Sequence, residues 1–106
     1  MTIPEIDVAE LQGLHDRGAA IIDVRQPDEY DEAHVPSVTL IPLAEVPDRV
    51  SELPTDQTLY LICRSGARSE RAGEFLAGQG FDVVNVAGGT QAWIEAGLPV
   101  DTGGAS

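Results

Sequence analysis

One stretch near the middle of the chain constrains the fold more than any other. The apolar run 59–62 has the length of a β-strand and leads directly into Cys63, the only cysteine. From about Arg68 to Gly78 the apolar residues follow helical spacing. A strand, a short loop and a helix in this order are typical of a parallel α/β sheet, in which ligands bind at the carboxyl ends of the strands. The sequence therefore predicts that Cys63 lies at a ligand-binding crevice.

The charge distribution singles out the same loop. The chain has 106 residues and a formal net charge of −12, and three of its six basic residues lie between Arg64 and Arg71. Cations at the start of a helix are unfavourable by about 0.3–1 kcal/mol each, so their presence at a predicted crevice indicates function. Neighbouring guanidinium groups lower the pKa of a cysteine and bind oxyanions through paired donors. We predict that Cys63 is a thiolate nucleophile and that Arg64 and Arg68 bind an anionic substrate.

The residues between cysteine and helix suit an anion-holding loop. Gly66 permits a tight turn and the close approach of a ligand, and successive backbone N–H groups can point towards an anion. We assign Ser65, Gly66, Ala67 and Ser69 to this active-site loop. The alternative is a buried structural cysteine, because free cysteine is among the most buried residue types. The adjacent arginines argue against it, since desolvation beside them has no structural benefit.

These residues resemble a known family. The segment Cys63-Arg-Ser-Gly-Ala-Arg68 is similar to the six-residue active-site loop of rhodanese domains, C-R-x-G-x-[RT]. Further matching stretches follow the family's order: Ile22-Asp-Val-Arg25 with Glu29-Tyr30, His34-Val-Pro36, Ile41-Pro-Leu43, Gly88-Gly89, Ala92-Trp93 and Ala96-Gly-Leu-Pro-Val100. The resemblance covers about residues 3–100. It implies an α/β rhodanese-like domain with a mostly parallel five-stranded sheet and helices on both faces.

The resemblance also implies sulfurtransferase chemistry. Cys63 would take the outer sulfur of a sulfane donor such as thiosulfate as a persulfide, while Arg64 and Arg68 hold the sulfonate oxygens. The sulfur would then pass to cyanide or to a thiol, including a thiol on a protein. No metal and no organic cofactor are implied. The alternative is a persulfide carrier or protein-docking module with little activity on small donors.

Loop length separates this interpretation from a related one. Phosphatases and arsenate reductases of the same fold carry Cys-x5-Arg, whereas Cys63 and Arg68 form Cys-x4-Arg. The smaller loop suits a terminal sulfur better than a phosphate. Arg71 lies one helical turn further on, and we interpret it as a helix-surface residue paired with Glu70 or Glu74.

Two residues depart from the family's pattern. Ser37 stands where the family usually has glycine, and Leu40 stands where it usually has asparagine. A serine disfavours a positive φ, so we expect the turn after Pro36 to differ in detail.

Composition favours one domain, residues 1–101, followed by a flexible polar tail, residues 102–106. No apolar stretch approaches the roughly 20 residues that span a bilayer, which argues against a membrane protein. The net charge of −12 argues against nucleic acid as a partner. With one cysteine an internal disulfide is excluded, and a persulfide enzyme needs a free thiol. We therefore expect a cytoplasmic protein.

The remaining pattern alternates strands and helices. Asp7 is a predicted N-cap for the first helix. Further strands are predicted at 20–24, 38–41 and 81–86, and further helices at 27–33, 43–53 and 90–96. We interpret Trp93 as a core residue, and Asp23, Arg25 and Glu29 as a structural charge cluster. His34, which precedes a turn, is interpreted as a hydrogen-bonded structural residue rather than a general base.

Overall fold

A computed structural model describes residues 3–104 of the chain. Its five strands form one sheet in the order β1-β5-β4-β2-β3, and every pairing between them is parallel. The strands are β1 (Glu5–Ile6), β2 (Ala20–Asp23), β3 (Thr39–Leu40), β4 (Leu59–Ile62) and β5 (Val83–Val86). The helices are α1 (Val8–Asp16), α2 (Pro27–Glu32), α3 (Ala67–Gly78) and α4 (Gly89–Glu95), with a 3₁₀ helix at Leu43–Glu52. The expected five-stranded parallel α/β architecture is confirmed.

The sheet separates two apolar cores, because successive side chains of a strand point to opposite faces. In β4, Leu59 and Leu61 pack on the face covered by α3 and the 3₁₀ helix. Ile62 packs on the other face, against Leu11 of α1 and Trp93 of α4. Trp93 is 1% exposed, which confirms it as a core residue. Helices therefore cover both faces, as predicted.

Local sequence signals explain where the helices begin. The carboxylate of Asp7 accepts the N–H of Glu10 at 2.9 Å, which confirms it as the N-cap of α1. The predicted helix at 43–53 forms as a 3₁₀ helix with Pro47 inside it and non-helical backbone at Arg49. Proline lacks an N–H and clashes with the preceding turn, so a regular α-helix cannot run through this segment.

Three details differ from the sequence predictions. Strand β1 was not among the predicted strands, because two residues carry no periodicity; it forms by pairing with β5. The strands predicted at 20–24, 38–41 and 81–86 are shorter at their ends. The expectation that serine would avoid a positive φ after Pro36 is wrong. Ser37 adopts φ 65°, and it is the only non-glycine residue within 3–104 with a positive φ.

The carboxyl-terminal segment is tied to α2 and the residues that follow it. His34 and Asp101 form an isolated antiparallel bridge, and the N–H of Gly103 donates to the carbonyl of Asp31 at 2.7 Å. The flexible tail at 102–106 stays a prediction, and Ala105 and Ser106 lie outside the described residues. None of the helices within 3–104 has the length and apolar character needed to cross a membrane.

Candidate active site

Cys63 follows the last residue of β4, at the carboxyl edge of the sheet where the sequence placed it. Its Sγ accepts the backbone N–H of Gly66 at 3.1 Å. Gly66 is the N-cap of α3 with φ 115°, a conformation that glycine adopts without steric cost. The Cys63 side chain is only 1% exposed. The loop therefore surrounds the sulfur and directs a hydrogen-bond donor, the Gly66 N–H, at it.

The buried side chains of Ser69 and Asn85 form a hydrogen-bonded chain that contacts the sulfur. The hydroxyl of Ser69 lies 3.4 Å from Cys63 Sγ, 3.2 Å from the carbonyl of Gly66 and 2.5 Å from Asn85 Oδ1. The amide nitrogen of Asn85 donates to the Gly66 carbonyl at 3.1 Å and to Glu5 Oε2 at 3.0 Å. These two acceptors fix the orientation of the amide, so its oxygen must face Ser69. Asn85 thus couples the loop to β5 and β1.

Sequence reasoning missed Asn85 and Glu5 as members of the site. The one available signal was a polar residue inside the apolar run Val83–Val86, which predicts a buried polar group with a specific partner. Glu5 gave no signal, because it is 80 residues from Asn85 in the chain.

The surroundings of the thiol lower its pKa. Burial of Cys63 raises the pKa, because an apolar environment disfavours the charged form. Hydrogen bonds from the Ser69 hydroxyl and from the backbone N–H groups of Ser69, Gly66 and Ser65 lower it, and together they outweigh the burial. The loop therefore favours a thiolate with donors already in place.

The guanidinium of Arg68 is bound to a carboxylate of the protein. Its guanidinium donates to both carboxylate oxygens of Glu29, at 2.6 and 2.8 Å. This bidentate contact lowers the pKa of Glu29 to about 2 and raises that of Arg68. The sequence grouped Glu29 with Asp23 and Arg25, but its carboxylate pairs with the active-site loop instead. Whether Arg68 also binds a substrate stays a prediction.

Arg64 is the loop's other cation. Its side chain is exposed and forms no ion pair or hydrogen bond with the residues at 3–104. Ser65 and Ala67 are exposed at the loop surface, whereas Ser69 is buried beneath the sulfur. The structure thus brings the predicted loop residues together around Cys63 and leaves Arg64 available to an anion.

The start of α4 holds the cysteine loop from the other side. The backbone N–H of Thr90 donates to the carbonyl of Cys63 at 2.8 Å, and that of Gln91 to the carbonyl of Arg64 at 3.0 Å. A Cβ at Gly89 would contact the carbonyl oxygens of Cys63 and Arg64, the second at 2.7 Å. Only glycine permits this close approach of two backbones.

A cleft of about 440 Å³ adjoins the loop. Its lining comes from α2, α4 and the cysteine loop: Arg25, Glu29, Glu32, Ala33, Arg64, Thr90, Gln91, Ile94 and Glu95. Thr90 is 2% exposed, and its Oγ1 has no hydrogen-bond partner within the described part of the chain. A buried hydroxyl without a partner is costly, so it is a candidate ligand contact.

Two other polar groups near the cleft are structural, as predicted. Arg25 pairs with the buried carboxylate of Asp23 at 2.8 Å. The Nδ1–H of His34 donates to the carbonyl of Tyr30 at 2.7 Å, and the two rings stack at 3.6 Å. Within residues 3–104 no group of three or more histidine, cysteine, aspartate or glutamate side chains could hold a metal ion.

Comparison with known proteins identifies the family of the chain. The profile of the Rhodanese-like domain matches residues 7–96. A protein of Allochromatium vinosum named sulfurtransferase is 39% identical over 101 residues, which cover 92% of this chain and 94% of that protein. The putative sulfur carrier protein YrkF of Bacillus subtilis is 42% identical over 95 residues, which cover 87% of this chain. Only 51% of YrkF is covered, so the chain spans about half of its length.

The fold agrees with the same assignment. The crystal structure of a rhodanese-related protein from Thermoplasma volcanium superposes with a TM-score of 0.86 at 35% identity, covering 92% of this chain and 97% of that one. The range matched by the profile includes Cys63 and the whole cysteine loop. The chain therefore belongs to the rhodanese-like family.

Proposed function

We propose that the protein is a sulfurtransferase in which Cys63 carries sulfur as a persulfide from a donor to a thiol acceptor. The observation that carries this proposal is the set of donors aimed at one sulfur atom: the Gly66 N–H at 3.1 Å and the Ser69 hydroxyl at 3.4 Å from Sγ. Such donors stabilise the Cys63 thiolate before it attacks the donor and again when the acceptor has removed the sulfur. The names of the relatives, sulfurtransferase and sulfur carrier, agree with this chemistry.

In the first half-reaction the Cys63 thiolate attacks the outer sulfur of the donor. With thiosulfate the new bond joins Sγ to that sulfur, and the sulfur–sulfur bond of thiosulfate breaks as sulfite leaves with the electron pair. We expect Arg64 to stabilise the departing oxyanion, because its guanidinium is exposed and has no protein partner within 3–104. Burial of Cys63 limits the access of water to the inner sulfur of the resulting persulfide.

In the second half-reaction an acceptor thiolate attacks the outer sulfur of the persulfide. The acceptor gains the sulfur, and Cys63 returns as a thiolate. Covalent transfer of this kind gives ping-pong kinetics. The proposal includes a cytoplasmic setting and no role for nucleic acid.

Steady-state transfer of sulfur from thiosulfate to cyanide tests the proposal. We expect activity in the wild type and none above background in Cys63→Ser, a nearly isosteric change. Arg64→Ala should lower kcat/KM for thiosulfate by about 10²–10³-fold, the scale for losing one oxyanion donor. Full activity in Cys63→Ser would contradict the assignment of the nucleophile.

A second candidate function is a persulfide carrier that takes sulfur from a protein donor. The contact between Arg68 and Glu29 favours it, because it leaves Arg64 as the one loop arginine without a carboxylate partner within 3–104. A small dianion such as thiosulfate then has one free loop arginine to bind it, whereas a persulfide on a partner protein does not depend on the loop arginines alone for its binding. Loading of Cys63 by a protein persulfide but not by thiosulfate would favour the carrier.

A further inference from the structure

The cleft beside the cysteine loop has an uneven charge distribution. Two charged residues of its lining already have partners of opposite charge, because Arg25 pairs with Asp23 and Glu29 pairs with Arg68 of the loop. The remaining charged residues of the lining are Arg64, Glu32 and Glu95.

The cation and the two carboxylates belong to different elements of the lining. Arg64 is adjacent to Cys63, and its carbonyl is bonded to the start of α4. Glu95 is the last residue of α4, six residues beyond Gly89, which places it about 9 Å further along the helix axis at 1.5 Å per residue. Glu32 is the last residue of α2, three residues beyond Glu29, and belongs to the same lining. Both carboxylates are exposed and have no ion pair within the described residues.

Two uncharged residues of the lining add contacts that a ligand would use. Thr90 lies next to the loop with its buried Oγ1 unpartnered. Ile94 is 47% exposed in the same lining, although an apolar side chain normally gains from burial. A hydroxyl lacking a partner and an exposed apolar side chain together indicate that the cleft receives a ligand.

We propose that this cleft binds the acceptor of the sulfur, and that the acceptor is a peptide-borne cysteine flanked by basic residues. The inference rests on the proposed function. The acceptor's thiolate would lie beside Arg64 near Cys63, and its lysine or arginine side chains would reach Glu32 and Glu95. The methylene stems of those side chains would pack on Ile94. The net charge of −12 adds attraction for a basic partner at long range.

The transfer itself is balanced without any further reactant. The peptide thiolate attacks the outer sulfur of the Cys63 persulfide, and a sulfur–sulfur bond forms. The original sulfur–sulfur bond breaks, its electron pair stays on Cys63, and the peptide leaves as a persulfide.

The test is a single-turnover reaction with sulfur-loaded protein. Cys63 is loaded with thiosulfate or polysulfide, loading is verified by intact mass, and excess donor is removed. The loaded protein then reacts at low ionic strength with matched hexapeptides in which cysteine is flanked by two lysines or by two glutamates. If neither donor loads Cys63, the proposed function itself is contradicted. If Cys63 is loaded but transfers sulfur to both peptides at equal rates, only this inference is contradicted.

We expect the lysine peptide to react about tenfold or more faster than the glutamate peptide, the scale of several partly exposed charge contacts. In Glu32→Gln/Glu95→Gln this ratio should fall to about threefold or less. The intrinsic reactivities of the two peptides cancel, because the same pair is compared in both proteins.

Asp48→Asn/Asp56→Asn is the matched control. Both residues are exposed and outside the cleft lining, and Asp56 precedes the opposite end of β4. This variant has the same net charge as the test variant and should keep the wild-type ratio. An equal fall in both double variants, an unchanged ratio in Glu32→Gln/Glu95→Gln, or a faster glutamate peptide would each overturn the proposal.

Thr90 provides a test that does not depend on charge. Thr90→Val should slow transfer to the lysine peptide, and Thr90→Ser, which keeps the hydroxyl, should restore it. Since Oγ1 has no internal partner, Thr90→Val should not lower the thermal stability. Equal transfer rates in Thr90→Val and Thr90→Ser would show that the Thr90 hydroxyl does not contact the acceptor.

Discussion

Ser69 has one hydroxyl proton and three acceptors within reach. Asn85 Oδ1 is nearest, at 2.5 Å, and Cys63 Sγ is furthest, at 3.4 Å. When the Cys63 thiol is neutral, the Ser69 hydroxyl donates its hydrogen bond to Asn85 Oδ1. A thiolate attracts the proton more strongly than a neutral thiol does, because hydrogen bonds to charged groups are stronger than those between neutral groups. The network thus supports the reactive form of the sulfur without a separate base.

Removal of this hydroxyl should weaken the thiolate. In Ser69→Ala we expect the pKa of Cys63 to rise, because burial continues to oppose ionisation while one lowering contact is lost. Sulfur transfer at pH 7 should fall by about tenfold, the scale of one hydrogen bond to a charged group. The pH dependence of alkylation by iodoacetamide measures the change.

Ser65→Ala is the matched control, since Ser65 acts on the sulfur through its backbone N–H. Its alkylation profile should overlay that of the wild type. A Ser69→Ala profile that also overlays the wild type would show that the hydroxyl does not act on the sulfur.

At the scale of elements, the position of the cysteine loop depends on α4. The first residues of this helix bond the carbonyls of Cys63 and Arg64, and Gly89 lies against both. The loop is therefore held between α3, which it caps, and α4, which it contacts through backbone atoms. Movement of α4 would change the direction of the donors around Sγ.

Gly89→Ala should disturb the loop more than the fold. Its Cβ would collide with backbone atoms that cannot rotate away, and its φ of 57° adds strain. We expect sulfur loading to slow by about 10²-fold, the cost of misplacing reacting groups by about 1 Å. Gly97→Ala has a similar φ of 76° but open space around the Cβ, and it should load at nearly the wild-type rate. A similar loss of loading rate in both variants would show that backbone strain at a positive φ, and not the collision with the loop, causes the effect.

The turn before β3 stores strain at one residue. Ser37 holds φ 65°, a conformation that costs a non-glycine residue roughly 1–2 kcal/mol. Ser37→Gly should therefore raise the free energy of unfolding, by up to about 1 kcal/mol after the larger chain entropy of glycine is subtracted. Urea denaturation measures it. Ser51→Gly, in the 3₁₀ helix, should lower stability, and the same sign in both would contradict the strain argument.

At the scale of the whole molecule, the contact between Glu29 and Arg68 ties α2 to α3 across 39 residues of sequence. The pKa of Glu29 is about 2 in the folded protein against an ordinary value of 4.5. A lowered carboxyl pKa stabilises the folded state at pH values above 4.5, and this stabilisation is lost as the pH falls from 4.5 towards 2.

Glu29→Gln should accordingly lower the free energy of unfolding at pH 7 by about 1–2 kcal/mol, a value reduced because both side chains are partly exposed to water. The difference from the wild type should shrink as the pH falls from 5 to 3. Glu52→Gln breaks a surface pair with Arg49 and should have a much smaller effect. A Glu29→Gln deficit that stays constant with pH would show that the ion pair is not its cause.

The parts of the fold and site that were predictable rest on short-range sequence signals. The cysteine loop follows from spacing within ten residues, and α1 follows from Asp7 and the helical periodicity after it. The unpredicted parts are long-range contacts: β1 pairing with β5, Asn85 with Glu5, and Arg68 with Glu29. Their partners are separated by 39 to 80 residues, and only the completed fold brings them together.

The most direct test of the account is the intact mass of the reduced protein before and after exposure to thiosulfate or polysulfide. The account predicts the gain of one sulfur that maps to Cys63, is removed by cyanide and is absent from Cys63→Ser. No gain with either donor, while the thiol is still alkylated by iodoacetamide, would contradict it. A gain that persists in Cys63→Ser would contradict it equally.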